Sequence, residues 1–248
     1  FKELAKTSEK YFIPYIMQCH DINEDISVLE IGCGEGGNLL PFARLGCYTS
    51  GVDISETRIK EAKRFFTQEN LHGTFICDNI FNITEYNRRF DIIICHDVIE
   101  HIADKQALLD TARSFIKDDG VLFIAFPAWQ MPFGGHQQIS RNRLLSRTPF
   151  IHLLPHKIYK HILNRAGESA ETIKELLSIR STSITIERFE KIIFQWNIAD
   201  RSLYLINPHY ETKYGLTPRK IPDYISKIPY IRNYISTSCF YLLKPMRN

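Results

Sequence analysis

The 248-residue sequence lacks several features that define whole classes of protein. It has no run of eighteen apolar residues, so we expect no transmembrane helix. Its first residues lack the charged-then-apolar layout of a signal peptide. Its six cysteines include no C-x-x-C pair, and Cys77 and Cys95 lie in apolar runs. We therefore expect reduced cysteines, these two in the core, in a cytoplasmic protein rather than a disulfide framework.

Charge is plentiful but unevenly divided. Residues 1–126 carry 13 basic and 20 acidic side chains, whereas residues 127–248 carry 18 basic and 8 acidic ones. The formal net charge of +3 thus conceals a negative half and a positive half, which indicates different partners for each. With 44% hydrophobic and 24% charged residues, the composition excludes wholesale disorder.

In the first half, apolar runs alternate with helix patterns. The runs predict five strands, over residues 26–31, 48–52, 73–77, 90–95 and 121–126. The fourth and fifth, DIIIC and VLFIAF, are apolar along their length, as in parallel strands buried on both faces. Ser55 and Asp104 are placed to cap the helices that follow. This alternation predicts a doubly wound α/β sheet, with an opening helix over about 2–19 packed outside it.

The second half has another pattern. Residues 127–181 contain no strand-like run, but helix-like ones over about 141–147, 155–165 and 168–179. We interpret 127–181 as a helical insertion after strand five, and expect it to overhang the sheet as a lid. A helix over 186–196 and strands over 202–206 and 238–243 then complete the sheet, so residues 182–248 and 1–126 form a single domain.

The strongest motif is VLEIGCGEGG, residues 28–37, between a predicted strand and a predicted helix. Gly32, Gly34 and Gly37 satisfy G-x-G-x-x-G, which permits a tight turn and close approach of a ligand to the backbone. Asp53 ends the second strand, where a carboxylate can hold the two hydroxyls of a ribose. The combination predicts an adenosine-type cofactor.

Two acids distinguish between cofactors, since a nicotinamide dinucleotide would use the same glycines and the same Asp53. Glu30 lies two residues before Gly32, where its charge is unfavourable beside a pyrophosphate but favourable beside a cation. Asp78, after the third strand, can accept a hydrogen bond from an exocyclic amine such as that of adenine. Both favour a positively charged adenosyl cofactor over NAD(P).

Residues 27–126 resemble the class I S-adenosylmethionine-dependent methyltransferases, particularly the small-molecule branch that includes the ubiquinone-biosynthesis O-methyltransferases. The resemblance rests on VLEIGCGEGG, GVDIS, CDNI, FDIIICHDVIEHI and DDGVLFIAFP, in that order and spacing. It implies a Rossmann-like, mostly parallel seven-stranded sheet whose last strand is antiparallel, and S-adenosylmethionine as cofactor. The implied cofactor-binding residues are Glu30, Gly32, Cys33, Gly34, Asp53, Ile54, Asp78, Asn79, Ile80 and His96.

The segment after strand four, CHDVIEHI, is expected beside the ligand crevice. Asp97 is expected to face the substrate, and with Glu100 and His101 to share one face of a helical turn. Some relatives with an E-x-x-E-H version hold a divalent metal there. Alternatively, Glu100 and His101 pair with backbone or a basic group and fix the loop. We favour the latter and expect no metal. The absence of an N/D-P-P-Y/F signature argues against adenine or glutamine amino groups as acceptors.

The insertion is basic, with six Lys/Arg and no acid between residues 141 and 165. Its charge has three interpretations: a solvated helical face, attraction of an acidic or lipid-linked small molecule, or approach to a membrane surface or nucleic acid. No RNA-binding module is visible, so nucleic acid is disfavoured. Gly134 and Gly135 precede His136 and Gln137 at the start of the insertion, and we expect Gln137 to bind substrate.

The sequence therefore predicts methyl transfer to a small acceptor, most readily to oxygen. A hydroxyl acceptor benefits from a general base, for which the candidates are His136 and His101. Two alternatives stay open: a non-catalytic cofactor-binding module of a larger assembly, and an NAD(P)-dependent oxidoreductase. The acceptor itself and the oligomeric state are not specified by these motifs.

Overall fold

A computed structural model describes residues 1–246, which contain a single eight-stranded sheet. Its strands are Ser27–Ile31 (β1), Tyr48–Asp53 (β2), Thr74–Cys77 (β3), Phe90–His96 (β4), Ile116–Phe126 (β5), Trp196–Ile206 (β6), Arg219–Lys220 (β7) and Ser238–Pro245 (β8). Their order across the sheet is β3-β2-β1-β4-β5-β8-β6-β7.

Strands β1 to β5 are parallel, and β8 pairs antiparallel with both β5 and β6. The predicted doubly wound sheet with an antiparallel last strand is therefore confirmed. The two-residue strand β7 adds an eighth strand at the edge, beyond the seven expected. Because β1 lies between β2 and β4, the strand order reverses there. A ligand crevice is expected at the carboxyl ends of these strands.

The helices connect and cover the strands. They are Lys2–Thr7 (α1), Ile13–Ile16 (α2), Leu40–Arg44 (α3), Glu56–Gln68 (α4), Lys105–Phe115 (α5), Arg143–Arg147 (α6), His156–Arg165 (α7), Ala170–Thr182 (α8), Ile186–Ile192 (α9), His209–Tyr214 (α10), Asp223–Ser226 (α11) and Ile231–Ile235 (α12). A π-helical segment, Ser8–Phe12, joins α1 to α2, so the opening helix runs to Ile16. None of the helices within residues 1–246 is long and apolar enough to cross a membrane.

Helices α4 and α5, which begin beside the crevice, have the N-terminal caps predicted from the sequence. Ser55 Oγ accepts from the amide of Arg58 at 3.4 Å, and Asp104 Oδ1 accepts from the amide of Ala107 at 2.9 Å. Each cap satisfies an amide that the first helical turn leaves without a partner, which is worth about 1 kcal/mol.

Two hydrophobic cores lie on opposite faces of the sheet, as its fully apolar strands predict. Every residue of β4 is buried. Helices α5 and α9 pack on one face, and the opening helix with α3 and α4 packs on the other. Residues 127–181, which we continue to call the lid after the prediction made for them, contain a smaller core from α6, α7 and α8: Leu145, Tyr159, Leu163 and Leu176.

Two local predictions were wrong. The helix expected over 186–196 ends at Ile192, because Trp196 opens β6 and pairs with Pro245 of β8. The backbone bonds of that antiparallel ladder outweigh the helical pattern. Cys77 is exposed at the end of β3 rather than buried, whereas Cys95 is buried as predicted. All six cysteines are free thiols.

Candidate active site

The glycine loop after β1 depends on backbone conformations that side chains disfavour. Gly32 and Gly34 have φ of +70° and +51°, in the left-handed region. A Cβ on Gly32 would lie 2.4 Å from Cγ2 of Val98, so the loop also needs glycine here for space. The chain can therefore pass close beneath a ligand at this point.

Asp53, at the end of β2, holds this loop in place. Its Oδ2 accepts from the Gly34 amide at 2.9 Å, and its Oδ1 accepts from the Ser55 amide at 2.8 Å. The carbonyl of Asp53 accepts from the amide of Asp78 at 3.1 Å. One carboxylate thus connects the glycine loop to the start of α4. Each oxygen has a second lone pair, so Asp53 can still accept from a ligand.

The loop and the neighbouring strand ends enclose a cleft of about 620 Å³. Its walls come from the carboxyl ends of β1 to β4, the start of α4, and the lid. The lining residues are Ile31, Gly32, Val52, Asp53, Ile54, Ser55, Arg58, Asp78, Asn79, Ile80, Asp97, Val98, His101, Ile102, His136 and Glu175. This volume is within the range of small-molecule and cofactor sites.

The cleft brings together nine of the residues predicted from sequence. They are Gly32, Asp53, Ile54, Asp78, Asn79, Ile80, Asp97, His101 and His136. Five other predicted residues do not line it: Glu30, Cys33, Gly34, His96 and Gln137. Gly34 nevertheless contributes through its amide contact with Asp53.

Glu30 lies buried on β1, 2% exposed. Its Oε1 accepts from Nδ2 of Asn38 at 2.7 Å, and its Oε2 has no hydrogen-bond partner among residues 1–246. Burial, with a smaller contribution from the nearby Asp53 charge, raises the pKa of Glu30 to about 8. This carboxyl therefore carries its proton at neutral pH until a cation or donor reaches it.

An apolar side chain, Ile54, and a polar one, Asp78, both line the cleft where β2 and β3 end. Ile54 is 78% exposed, a large apolar side chain left open to solvent. Asp78 Oδ1 accepts from the Asn79 amide at 2.6 Å and from Nδ2 of Asn82 at 2.7 Å. Such a pairing suits a flat heterocycle, with its face on the apolar side chain and its amino edge toward the carboxylate.

Two of the residues outside the cleft, Cys33 and His96, are buried. The Cys33 side chain faces Gly51 of β2. The His96 ring packs against Phe12 of the opening helix, with ring centroids 4.9 Å apart. Direct contact of either side chain with a ligand would therefore need a rearrangement.

The structure places Gln137 inside the lid rather than on the cleft. Its side chain is fully buried, and its Nε2 donates to the carbonyls of Pro132 at 3.0 Å and Thr148 at 3.1 Å. It braces the lid internally and does not reach the cleft. The residue before it, His136, does line the cleft. The left-handed backbone of His136, with φ of +55°, turns the chain between them.

The turn after β4 differs from the predicted helical face. Asp97 adopts a left-handed backbone with φ of +53°, and only Ile99–His101 form a 3₁₀ turn. Glu100 is 4% exposed and points inward, whereas the His101 side chain faces the cleft at 41% exposure. Burial, with the charge of Asp97 adding to it, holds the pKa of Glu100 well above its usual range.

His101 and His136 meet across the cleft although 35 positions separate them. Their ring centroids are 5.1 Å apart in an edge-to-face arrangement. Burial lowers the pKa of His101 to about 4 and also lowers the pKa of His136. Both imidazoles are therefore neutral near pH 7 and able to accept a proton or bind a metal ion.

Sequence reasoning missed the residues that attach the lid to this turn. The Lys105 ammonium is buried and donates to the carbonyls of Ile99 at 3.0 Å, Ile102 at 2.7 Å and Thr182. Thr182 Oγ1 in turn donates to the Glu100 carbonyl at 2.6 Å. Burial lowers the pKa of Lys105 to about 8. A lysine one residue after a helix cap gave no sequence signal for this role.

Other lining residues were also not predicted. Arg58 lies in the first turn of α4, and its position four residues after Ile54, an implied cofactor-binding residue, was an available signal. Glu175 reaches the cleft from α8 of the lid, for which the sequence offered no indication. The six basic side chains between 141 and 165 are all exposed and none lines the cleft.

Known proteins share parts of this sequence and its fold. The profile of a family described as "Methyltransferase domain" matches residues 4–170. A ubiquinone biosynthesis O-methyltransferase of Bartonella quintana is 32% identical over 123 residues, covering 48% of this chain and 50% of that protein. One of Coxiella burnetii is 37% identical over 98 residues, covering 40% of this chain and 42% of that protein. The chain thus spans about half the length of the curated relatives it matches.

Solved structures show the same fold at low sequence identity. An S-adenosylmethionine-dependent methyltransferase from Clostridium acetobutylicum has a TM-score of 0.59 at 14% identity, covering 98% of this chain and 92% of that one. Magnesium protoporphyrin IX methyltransferase from Synechocystis, solved with bound S-adenosylhomocysteine, has a TM-score of 0.57 at 14% identity, covering 98% and 84%.

Proposed function

The chain belongs to the methyltransferase domain family, and from that premise we propose that it transfers a methyl group from S-adenosylmethionine to an oxygen of a small acceptor. The observation that carries the proposal is the series of acids at successive strand ends. Glu30, Asp53 and Asp78 belong to or follow β1, β2 and β3, next to one cleft. A cationic cofactor fits these acids, since a cation beside Glu30 would favour its ionised form, whereas a pyrophosphate would gain nothing from a carboxyl at that position.

The residues present fit this cofactor. The buried Oε2 of Glu30 has no partner within residues 1–246 and can accept from an ammonium group. Asp53 retains acceptor capacity for ribose hydroxyls, and Ile54 with Asp78 suits the face and amino edge of adenine. When bound, the cofactor supplies an electrophilic methyl group on a sulfonium.

The acceptor would lie between the strand ends and the lid. His101 and His136 are the candidates for taking the proton of an acceptor hydroxyl, since neutral imidazoles can accept it. Asp97 lies beside them and would stabilise the imidazolium that results. The lid helix α8, which carries Glu175, would exclude water from the acceptor.

We also propose which class of molecule accepts the methyl group. The names of the two curated relatives specify O-methylation in ubiquinone biosynthesis, which makes hydroxylated aromatic rings the first acceptors to test. The basic, acid-free stretch 141–165 supports an anionic acceptor. Because these charges lie outside the cleft, they would act by raising the local concentration of anions rather than by direct contact. Turnover of an anionic acceptor should then fall with added salt.

Titration calorimetry with S-adenosylhomocysteine and with NAD tests the cofactor. We expect binding of S-adenosylhomocysteine alone; binding of NAD alone would refute the proposal. Incubation with methyl-labelled S-adenosylmethionine and a panel of phenolic acids then tests the transfer by mass spectrometry. Cofactor binding without turnover of any acceptor in the panel would favour the alternative of a non-catalytic module. An Asp53→Ala variant provides the background for both measurements.

A further inference from the structure

A single permanent positive charge lies among the acids of the cleft, as far as residues 1–246 line it. The cation is Arg58, and the acidic lining residues are Asp53, Asp78, Asp97 and Glu175. We propose that Arg58 binds a carboxylate, supplied either by the amino-acid part of the cofactor or by the acceptor. The anion site follows from the geometry of the cleft, whereas its two candidate occupants rest on the proposed function.

The Arg58 guanidinium has no partner of its own within residues 1–246. Its side chain forms neither an ion pair nor a hydrogen bond there, although acids lie nearby on the same helix. Those acids already have other partners, since Glu56 pairs with Lys60 at 2.7 Å and Glu61 pairs with Arg64. The donors of Arg58 are therefore available to a ligand.

Helix stability does not explain a cation at this position. Arg58 lies in the first turn of α4, three residues after the cap Ser55. The helix dipole is positive at this end, so it favours an acid such as Glu56 and disfavours an arginine. A bound anion would remove this repulsion.

The Arg58 side chain lies close to both the glycine loop and a candidate base. A Cβ on Gly34 would lie 3.8 Å from Cδ and from Nη1 of Arg58. Burial is the main cause of the lowered pKa of His101, and the charge of Arg58 is one of the smaller causes. An anion bound at Arg58 would offset that charge, so His101 would accept a proton more readily with the anion in place.

The surroundings favour a carboxylate over a phosphate. The planar N–H groups of a guanidinium match the two oxygens of a carboxylate in a bidentate pair. The acids of the same cleft repel an anion in proportion to its charge, so a dianion would be repelled about twice as strongly as a carboxylate. The amino-acid end of S-adenosylmethionine and an aromatic acid each offer one such group.

Calorimetry on the full chain with two pairs of probes tests the proposal and distinguishes the sources. S-adenosylhomocysteine carries the amino-acid carboxylate, whereas 5′-methylthioadenosine lacks the amino-acid part. With S-adenosylhomocysteine saturating, 4-hydroxybenzoate carries a carboxylate and 4-hydroxybenzamide is its uncharged counterpart. In at least one pair, Arg58→Gln should weaken binding of the carboxylate-bearing probe by about tenfold and leave its counterpart unchanged. Arg58→Lys should recover part of the loss, because it keeps the charge but not the bidentate geometry.

The matched control is Lys63→Gln, which removes an exposed charge from the same helix outside the cleft and should bind all four probes as the wild type does. A loss confined to S-adenosylhomocysteine assigns Arg58 to the cofactor, and a loss confined to 4-hydroxybenzoate assigns it to the acceptor. Equal losses within each pair, or no loss in either pair, overturn the proposal.

The same measurements separate this proposal from the proposed function. Wild-type protein that binds neither S-adenosylhomocysteine nor 5′-methylthioadenosine refutes the proposed cofactor, and 4-hydroxybenzoate binding to the unliganded protein then decides on Arg58 alone. Cofactor binding that is unaffected by Arg58→Gln, together with 4-hydroxybenzoate binding that is also unaffected or absent, refutes only the role of Arg58. Because the Arg58 side chain is exposed and forms no bonds within residues 1–246, we expect Arg58→Gln to fold as the wild type does.

Discussion

Replacing Glu30 by glutamine should stabilise the protein at alkaline pH while weakening its cofactor site. Burial raises the pKa of Glu30 from 4.5 to about 8. Between these values the folded protein retains a proton that the unfolded chain has released. The free energy of unfolding therefore falls as pH rises through this window. Glutamine keeps the volume and can still accept from Asn38, but does not titrate.

The size of the effect follows from the shift. Each pKa unit corresponds to 1.36 kcal/mol. Raising the pH from 5 to 8 should therefore lower the free energy of unfolding of the wild type by on the order of 4 kcal/mol more than that of Glu30→Gln. Urea denaturation of both proteins across this range measures the difference. Glu24→Gln, at an exposed site, is the control. If the free energies of unfolding of the wild type and Glu30→Gln differ by an amount that stays constant within about 1 kcal/mol from pH 5 to 8, the raised pKa of Glu30 is refuted.

The same substitution has a pH-dependent effect on the cofactor. A hydrogen bond to a charged group contributes about 1.5–3 kcal/mol, but at pH 7 ionising Glu30 first costs about 1.4 kcal/mol. The affinity advantage of wild type over Glu30→Gln for S-adenosylmethionine should therefore be about tenfold or less at pH 7 and at least about tenfold at pH 9. An advantage that does not grow with pH would exclude a direct role for the Glu30 charge.

Three further substitutions test the site. Gly32→Ala should abolish S-adenosylhomocysteine binding in calorimetry. It should also lower the free energy of unfolding by more than the roughly 1–2 kcal/mol that a left-handed alanine costs, because its Cβ would overlap Val98. Asp53→Asn should weaken the same binding by about 10- to 100-fold, since a neutral amide is a poorer acceptor. Lys105→Met should lower stability by about 2–4 kcal/mol and speed hydrogen exchange in Ala170–Thr182, because three carbonyls lose their donor.

Controls for these substitutions come from the same chain. Gly167 also has a positive φ, +74°, but no atom lies within 4 Å of a Cβ placed there. Gly167→Ala therefore measures the conformational cost of a left-handed alanine without the clash that occurs at Gly32. Lys60→Met removes an exposed lysine. Equal destabilisation by Gly32→Ala and Gly167→Ala, or unchanged exchange in Lys105→Met, would contradict the roles assigned here. Asp53→Asn with wild-type affinity would remove Asp53 from the cofactor site.

The features that sequence reasoning predicted correctly are local ones. The caps at Ser55 and Asp104 and the buried strand Phe90–His96 each depend on a few neighbouring residues. The glycine loop between a strand and a helix is likewise a local pattern, whereas its hydrogen bond to Asp53 was not predicted. Trp196 was misassigned because the residue opposite it in the β6–β8 ladder, Pro245, lies 49 positions away.

The candidate site divides in the same way. The glycine loop and the order of Glu30, Asp53 and Asp78 indicated a positively charged adenosyl cofactor from the sequence, since residue type and position after a predicted strand are properties of the sequence. Tertiary structure alone decided that Glu30 is buried enough to keep its proton, and that His136, not Gln137, faces the cleft. It also decided that His101 and His136 meet. Burial and proximity depend on how distant segments pack, and no local pattern encodes them.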